Sequence, residues 1–332
     1  MLKHFFILLS LFSFIGFAQP QFSEMAVSPG AFSRLGFGAR GIGLGNAVSS
    51  ITEGELVSYY NPAITPFQEK NSFQVGYSFL SLDRALNFLS YTRKFDFYSA
   101  KDTLENRKPR TTAGLSIGII NSGVSNIDGR DNNGISTGEL STSENQFFMG
   151  LAARISDKIS IGLNIKYYYY KLYEEINSTS LGFDIGALYR LNDNFNISLV
   201  ITDLNSAYQW DTAPVYEQNG ITTEDKFPNL RKIGVSYRNK EIGILGAIEF
   251  ENSNAQTNIL RAGVEYNIYD QFYVRGGIDQ FNLDNLDWPV VPSLGFSFFK
   301  AFDSFVVGVE YAFQFEQYSN DGRNIIAINF NF

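Results

Sequence analysis

Three sets of residues in this sequence carry groups that could do chemistry. Gly41-Ile42-Gly43-Leu44-Gly45 has the glycine density of a loop that cradles phosphate, where missing side chains let backbone N–H groups approach an anion. Asp128-Gly129-Arg130-Asp131-Asn132-Asn133-Gly134 spaces oxygen-bearing side chains much as a calcium loop does. Arg154, Lys166, Asp184, Arg190, Lys232, Glu249, Arg261, Glu265, Arg275, Asp279 and Glu310 stand singly in otherwise apolar text, where they could line an ion or ligand path or pair with one another.

None of the three reaches a catalytic or cofactor-binding constellation. A dinucleotide fingerprint needs a strand before the glycines and a particular glycine spacing, and both are missing. In the acidic loop Arg130 stands where an oxygen ligand belongs, and no glutamate closes the loop at its twelfth position, so a turn-rich surface loop is expected. The chain has no Cys, which excludes disulfides and thiolate chemistry. Its one His is His4, inside a segment expected to be removed, and with it goes the commonest general base and metal ligand. No enzymatic activity, cofactor or metal is expected. A net charge of -8 and a pI near 4.9 leave no basic patch to neutralise phosphates, so nucleic acid is not an expected partner.

Residues 1–18 read as a secretory signal peptide. Lys3 and His4 give a polar start, and Phe5 to Phe17 is an apolar run interrupted only by Ser10, Ser13 and Gly16. Ala18 before Gln19 offers a small residue for cleavage, with Gly16 also small. The run is too short to span a bilayer comfortably. Beyond it no stretch is long and apolar enough for a transmembrane helix. Yet the chain carries 31 Phe, 19 Tyr and 29 Gly with only 18% charged residues.

From residue 72 to the end, apolar and polar residues alternate. Ile159, Ile161, Leu163, Ile165, Tyr167 and Tyr169 fall on one face of a strand, and Ser160, Gly162, Asn164 and Lys166 on the other. Leu181 to Arg190, Leu260 to Ile268 and Phe305 to Gln314 repeat the pattern. A soluble sandwich or barrel would bury the apolar face, but its wet face would be dense in Lys, Glu and Thr. Here the polar face carries glycine and isolated charges, and the apolar face ends in aromatics. A lipid-facing apolar band around a polar lumen accounts for both. Fourteen strands are predicted, at 72–80, 85–98, 110–120, 144–155, 159–174, 179–191, 195–203, 229–238, 241–251, 257–268, 272–279, 292–300, 305–315 and 324–332. Their connections mostly alternate short and long, with the long loops at 121–143, 204–228 and 280–291 outside. The pair 81–84, short, and 99–109, long, breaks that order. Ile326, Ile328, Phe330 and Phe332 end the chain on an amphipathic strand, resembling the signal read by outer-membrane assembly machinery. The predicted fold is all-β: a fourteen-stranded antiparallel transmembrane β-barrel in the cell outer membrane. Residues 72–332 form the barrel, and membrane lipid is its first partner.

Residues 19–71 do not alternate and are expected to fold into the lumen as a hatch. Gly36, Gly38, Arg40, Gly41, Gly43, Gly45, Asn61 and Pro62 are its candidate site residues, the glycines serving close backbone packing in a narrow space. Residues Ala31 to Ala47, followed by Tyr59-Tyr60-Asn61-Pro62-Ala63, resemble the N-terminal signature of the PorV/PorQ family, barrels of the FadL-like superfamily. The resemblance continues at Ser78 to Arg84, Tyr91 to Arg93, Gly182 to Ala187 and Trp210 to Thr212. It implies fourteen strands, an N-terminal hatch and a role in type IX secretion or surface attachment. The partners implied are a translocon or cargo proteins with C-terminal sorting domains. On that reading Trp210, Tyr216 and Trp288 are loop aromatics that could anchor a partner, against the alternative that they lie at the membrane interface. The alternative function is a FadL-like channel for uptake of hydrophobic small molecules.

Overall fold

A computed structural model describes Met25 and residues 28–80, 84–98, 109–287, 289–316 and 322–332. The expected signal peptide, the first residues of the hatch, most of the connections 81–84 and 99–109, and Trp288 lie outside the described residues.

Sixteen strands follow one another: β1 (Ser72–Phe79), β2 (Ala85–Phe97), β3 (Thr111–Arg130), β4 (Ser136–Arg154), β5 (Ile159–Lys171), β6 (Asn177–Arg190), β7 (Phe195–Leu204), β8 (Ala207–Asp211), β9 (Thr222–Lys226), β10 (Leu230–Asn239), β11 (Ile244–Ser253), β12 (Thr257–Tyr269), β13 (Phe272–Asn282), β14 (Val291–Ala301), β15 (Val306–Gln314) and β16 (Arg323–Asn331). All but β8 and β9 join one closed antiparallel barrel of fourteen strands. Closure is made by β1 against β16, from Ser72 opposite Asn331 to Phe79 opposite Asn324. No strand of the barrel is left with an unpaired edge, which is the condition for crossing lipid with β structure.

The side chains are inverted relative to a soluble protein. On β5, Ile161 and Leu163 are 48% and 42% exposed, while Ser160 and Asn164 are completely buried. The neighbouring Leu181 and Ile185 on β6 also face outward. This is the alternation read from sequence, turned so that hydrocarbon solvates the apolar face. Aromatics crowd the strand ends: Phe79 and Phe315 at one rim, Phe97, Tyr269, Phe302 and Phe332 at the other, all exposed. Those are the levels at which amphipathic rings meet headgroups.

Two of the expected loops are ordered differently. Residues 121–143 are not an open loop. They extend β3 and β4 as a hairpin, with Gly123 opposite Ser143 and Asp128 opposite Glu139. The ladder slips between Val124 and Ile127, where Asn126 has a φ of 59°. At the tip the Asp131 carboxylate accepts the backbone N–H groups of Asn133 and Ile135 at 2.8 and 2.9 Å. Asp128 is taken up by Arg130 at 2.6 Å and by Ser136. The acidic loop is thus a hydrogen-bonded turn, its carboxylates committed to protein partners. Alternation failed to reveal the hairpin because both of its faces meet water. The second correction is 204–228, which forms the two-stranded sheet β8–β9.

An arginine in place of Leu163, near the middle of β5 and facing lipid, should destabilise the barrel by about 2–4 kcal/mol. Urea titration of folded protein in lipid vesicles measures this, and an unchanged midpoint would argue that this face does not meet hydrocarbon.

Candidate functional site

The lumen is filled by residues 30–68. After the left-handed Gly30 comes a 3-10 turn, Ala31–Arg34, then the short helix α1 (Gly38–Gly43), and later a second 3-10 turn, Pro62–Phe67. Local sequence explains the last: the Asn61 side chain accepts the Ala63 N–H at 2.9 Å and Pro62 presets the first φ. The Asn61 amide also donates to the Ser49 carbonyl at 2.8 Å, tying two turns of the hatch together. Tyr60 does the same nearer the lumen axis, its hydroxyl accepting the Phe37 N–H at 2.9 Å and lying 2.8 Å from Asn46 Oδ1.

The hatch glycines sit where space runs out. Gly45 has a φ of +59°, and a Cβ there would strike the backbone of Ile278 on β13. Gly41 faces the Tyr60 ring, Gly36 the Asn46 side chain and Gly38 the Gln74 side chain, while Gly43 lies over Gly295, Ala312 and Arg275. The barrel wall answers with glycines of its own. Gly162 accommodates Pro62, Gly186 accommodates Asn61, Gly150 accommodates Ser58, and Gly263 and Gly277 admit the Leu44–Gly45 backbone. These inward glycines were visible in the strand sequences as breaks in the polar face. They are the footprint of the hatch.

Seven of the isolated charges are brought together on the arc from β10 to β15. Arg40 of α1 reaches Glu265 on β12 through two bonds, Nε to Oε2 at 2.9 Å and Nη2 to Oε1 at 3.0 Å. Arg275 shares the same carboxylate at 2.6 Å and touches Glu310 at 3.3 Å. Beside them Arg261 holds Asp279 at 2.6 Å and Glu251 at 3.0 Å, and Lys232 lies 3.4 Å from Glu251. The hatch plugs into this group too, Asn46 donating to Asp279 at 2.8 Å and the Ser49 N–H to Glu249 at 3.3 Å. Further round, Lys166 is bracketed by Asp184 at 2.9 Å and Asp203 at 3.0 Å. Arg154 and Arg190 stack on opposite approaches to the hatch ring Phe67, with centroids 4.9 and 4.7 Å away. All eleven inward charges therefore serve wall or hatch contacts, and none forms a catalytic grouping.

The opposite arc is rich in aromatic rings, interspersed with the Lys166 group. Phe37 of the hatch packs on Phe88 (5.2 Å between centroids), Tyr59 (5.6 Å) and Phe148 (5.8 Å). Towards the outer end Tyr168, Tyr170, Tyr208, Trp210 and Phe227 pack ring against ring at 4.8 to 6.5 Å. One contiguous buried cluster joins both groups. Trp210 is therefore not a free loop anchor: it is 9% exposed, and its indole N–H donates to Asp225 at 2.9 Å. Tyr216, on the turn Ala213–Tyr216, does project outward. At the inner end a cavity of about 330 Å³ opens beneath the hatch, lined by Arg40, Glu53, Arg238, Lys240, Glu265 and Tyr273 among others.

No family model matches the chain, and no curated protein matches it. Solved structures do. The monoaromatic hydrocarbon channel CymD superposes with a TM-score of 0.59 at 14% identity, covering 90% of this chain and 98% of its own. The toluene transporter TbuX of Ralstonia pickettii gives 0.55 at 12%, covering 89% and 97%. A FadL homologue of Pseudomonas aeruginosa gives 0.51 at 11%, covering 89% and 98%. The fold is that of the FadL-like outer-membrane channels. A closed barrel with an apolar outer face fits an outer-membrane location. The expected role in type IX secretion or surface attachment is corrected here: the FadL-like barrels that share the fold are hydrocarbon channels and transporters. The N-terminal text that suggested secretion is, in this chain, the packing code of a hatch. Of the loops expected to bind cargo, one is a hairpin and another turns its tryptophan inward.

Removing the carboxylate of Glu265 by Glu265→Met leaves two buried guanidiniums without their shared partner and should cost about 3–5 kcal/mol. Arg40→Met leaves Glu265 still paired with Arg275 and should cost distinctly less. Denaturant midpoints in lipid vesicles order the two variants; the reverse order would mean that Glu265 is not the shared anchor.

Proposed function

We propose that this chain is an outer-membrane channel for the uptake of hydrophobic small molecules, exported by its N-terminal segment 1–18 and gated by the hatch of residues 19–71. The observation that supports the reading is the asymmetry of the lumen. One arc carries a seam of rings, from Trp210 and Tyr208 at the outer end past Phe227 and Tyr168 to Phe148, Phe88 and Phe37, with one polar anchor where the Tyr168 hydroxyl donates to Asp203. The other is the ionic arc that grips Arg40, Asn46 and Ser49.

The two arcs respond differently to a solute. A buried ion pair that loses one member leaves an uncompensated charge, a cost of several kcal/mol. An apolar wall that exchanges a hatch ring for a solute ring keeps its burial nearly unchanged, because the hydrophobic effect scales with area and has no directional demand. The hatch therefore stays tethered at its ionic side while its apolar side parts. Solute entering between the outer aromatics would travel along the seam between hatch and wall, whereas the cavity lined by Arg40, Glu265 and Arg275 lies on the tethered, ionic side. The likeness of residues 31–70 to PorV/PorQ barrels is read here as a shared way of building a hatch.

Cells expressing the chain in the outer membrane should accumulate radiolabelled toluene or a long-chain fatty acid several-fold faster than cells without it, with an unchanged set of secreted proteins. Equal uptake in the two strains would sink the channel reading.

A further inference from the structure

The Gln146 side chain on the aromatic seam has no partner, and its position defines a seat. Strand register lines up an inward row across four neighbouring strands: Phe88 opposite Ile120, Ile120 opposite Gln146, and Gln146 opposite Tyr168. Gln146 is fully buried, yet neither its amide nitrogen nor its amide oxygen makes a hydrogen bond among the described residues. The unpartnered groups of the ionic arc differ in setting. Arg275, Glu310 and Arg261 belong to the ionic arc, where charges surround them. Gln146 instead has Ile120 and Tyr168 on either side and Phe148 two residues along the same inward face, about 7 Å away, with Glu144, turned to Tyr170, two residues the other way. A carboxamide carries donors and an acceptor, and leaving it unmet in such surroundings is costly, so a native protein holds it there for a reason.

Phe37 shows what the place accepts. Its ring touches Phe88 on β2 and Phe148 on β4, and so lies over β3, between Ile120 and the sterically crowded Gly118. Gln146 is one strand spacing, about 4.8 Å, from Ile120. A ring in the place of Phe37 would thus have aromatic neighbours on two sides and an unused amide at its edge. Phe37 itself, being a bare phenyl, leaves that amide idle.

We propose that Phe88, Ile120, Gln146 and Phe148 form the seat for a monocyclic aromatic solute that bears a hydrogen-bonding substituent, a phenol or an aniline, and that Phe37 of the hatch fills the seat in its absence. The seat rests on the channel reading above and adds the solute class. The Tyr208 hydroxyl, buried and equally without a partner, sits higher on the same seam and offers the substituent a first contact on its way in.

The test uses full-length protein in detergent and two fluorinated probes of nearly equal shape, 4-fluorophenol and 4-fluorotoluene, with affinities read by fluorine NMR. Gln146→Leu should weaken 4-fluorophenol relative to 4-fluorotoluene by about three- to tenfold, the worth of one net hydrogen bond. Phe37→Ala should tighten both probes by about tenfold, because the seat no longer has to be emptied first. A relative affinity unmoved by Gln146→Leu, in protein whose heat-modifiable migration on gels shows a folded barrel, overturns the role of Gln146. Phe37→Ala that tightens neither probe overturns the seat. Either result with uptake intact in cells leaves the channel reading standing, whereas loss of uptake by the wild-type chain removes both.

Discussion

The carboxylate of Glu265 is where barrel and hatch become one object. It projects inward from β12 and is gripped by Arg40 from the hatch and Arg275 from the wall, with bonds of 2.6 to 3.0 Å. Charges taken out of water must be paired and hydrogen-bonded or they cost more than they return. That condition fixes more than one contact. It sets the rotation of α1 about its own axis, which in turn places Phe37 on Phe88 and Phe148, and it sets the depth of the Leu44–Gly45 backbone against Gly263 and Gly277. A hatch free to slide would find the glycine footprints out of register and meet side chains instead.

The inversion of the strands follows from the same logic on the outside. Outward residues such as Leu163, Ile185 and Leu199 have no protein to bury them, so the solvent that suits them is hydrocarbon. Inward residues then cannot rely on water either, because the hatch excludes it from Ser160, Asn164 and Lys166. The lumen wall is therefore a polar interior that must satisfy itself. It does so by ladders of serine, asparagine and charge: Asn164 to Asp184 at 3.1 Å, Ser49 to Ser198 at 2.9 Å, and Thr92 to Ser116 at 2.9 Å.

How far the sequence discloses this depends on which solvent each residue meets. Where one face of a strand meets lipid and the other a polar lumen, alternation is clean, and β5, β6, β12 and β15 could be placed from residues alone. Beyond the bilayer the contrast ends. Residues 121–143 keep their ladder but meet water on both faces, so nothing in their hydropathy marks them as strand. The hatch was legible as an absence of alternation and a run of glycines, but not its partners, because Arg40 and Glu265 are 225 residues apart. Trp210 was misjudged for a related reason. A tryptophan in a polar loop reads as exposed, and only the fold of β8 and β9 over the mouth shows that its ring turns in to meet Tyr170 and Tyr208.

That inward turn bears on why the seam is aromatic rather than aliphatic. Rings pack edge to face as well as stacked, and lose little from sliding between such arrangements. The outer group spans a range of such angles: Tyr168 against Tyr208 is near perpendicular at 87°, and Tyr170 against Tyr208 is tilted at 55°. An aliphatic wall packed to interior density would have to open a cavity before admitting anything, at a cost that grows with the volume opened. A wall of rings already tilted against one another can take in another flat ring by rotation. The ionic arc offers no such tolerance, since a guanidinium displaced from its carboxylate gains nothing in exchange. Compliance and rigidity are thus divided between the two sides of one lumen, and the hatch, built with Phe37 facing one and Arg40 facing the other, is fastened where it must not move and apolar where it must yield.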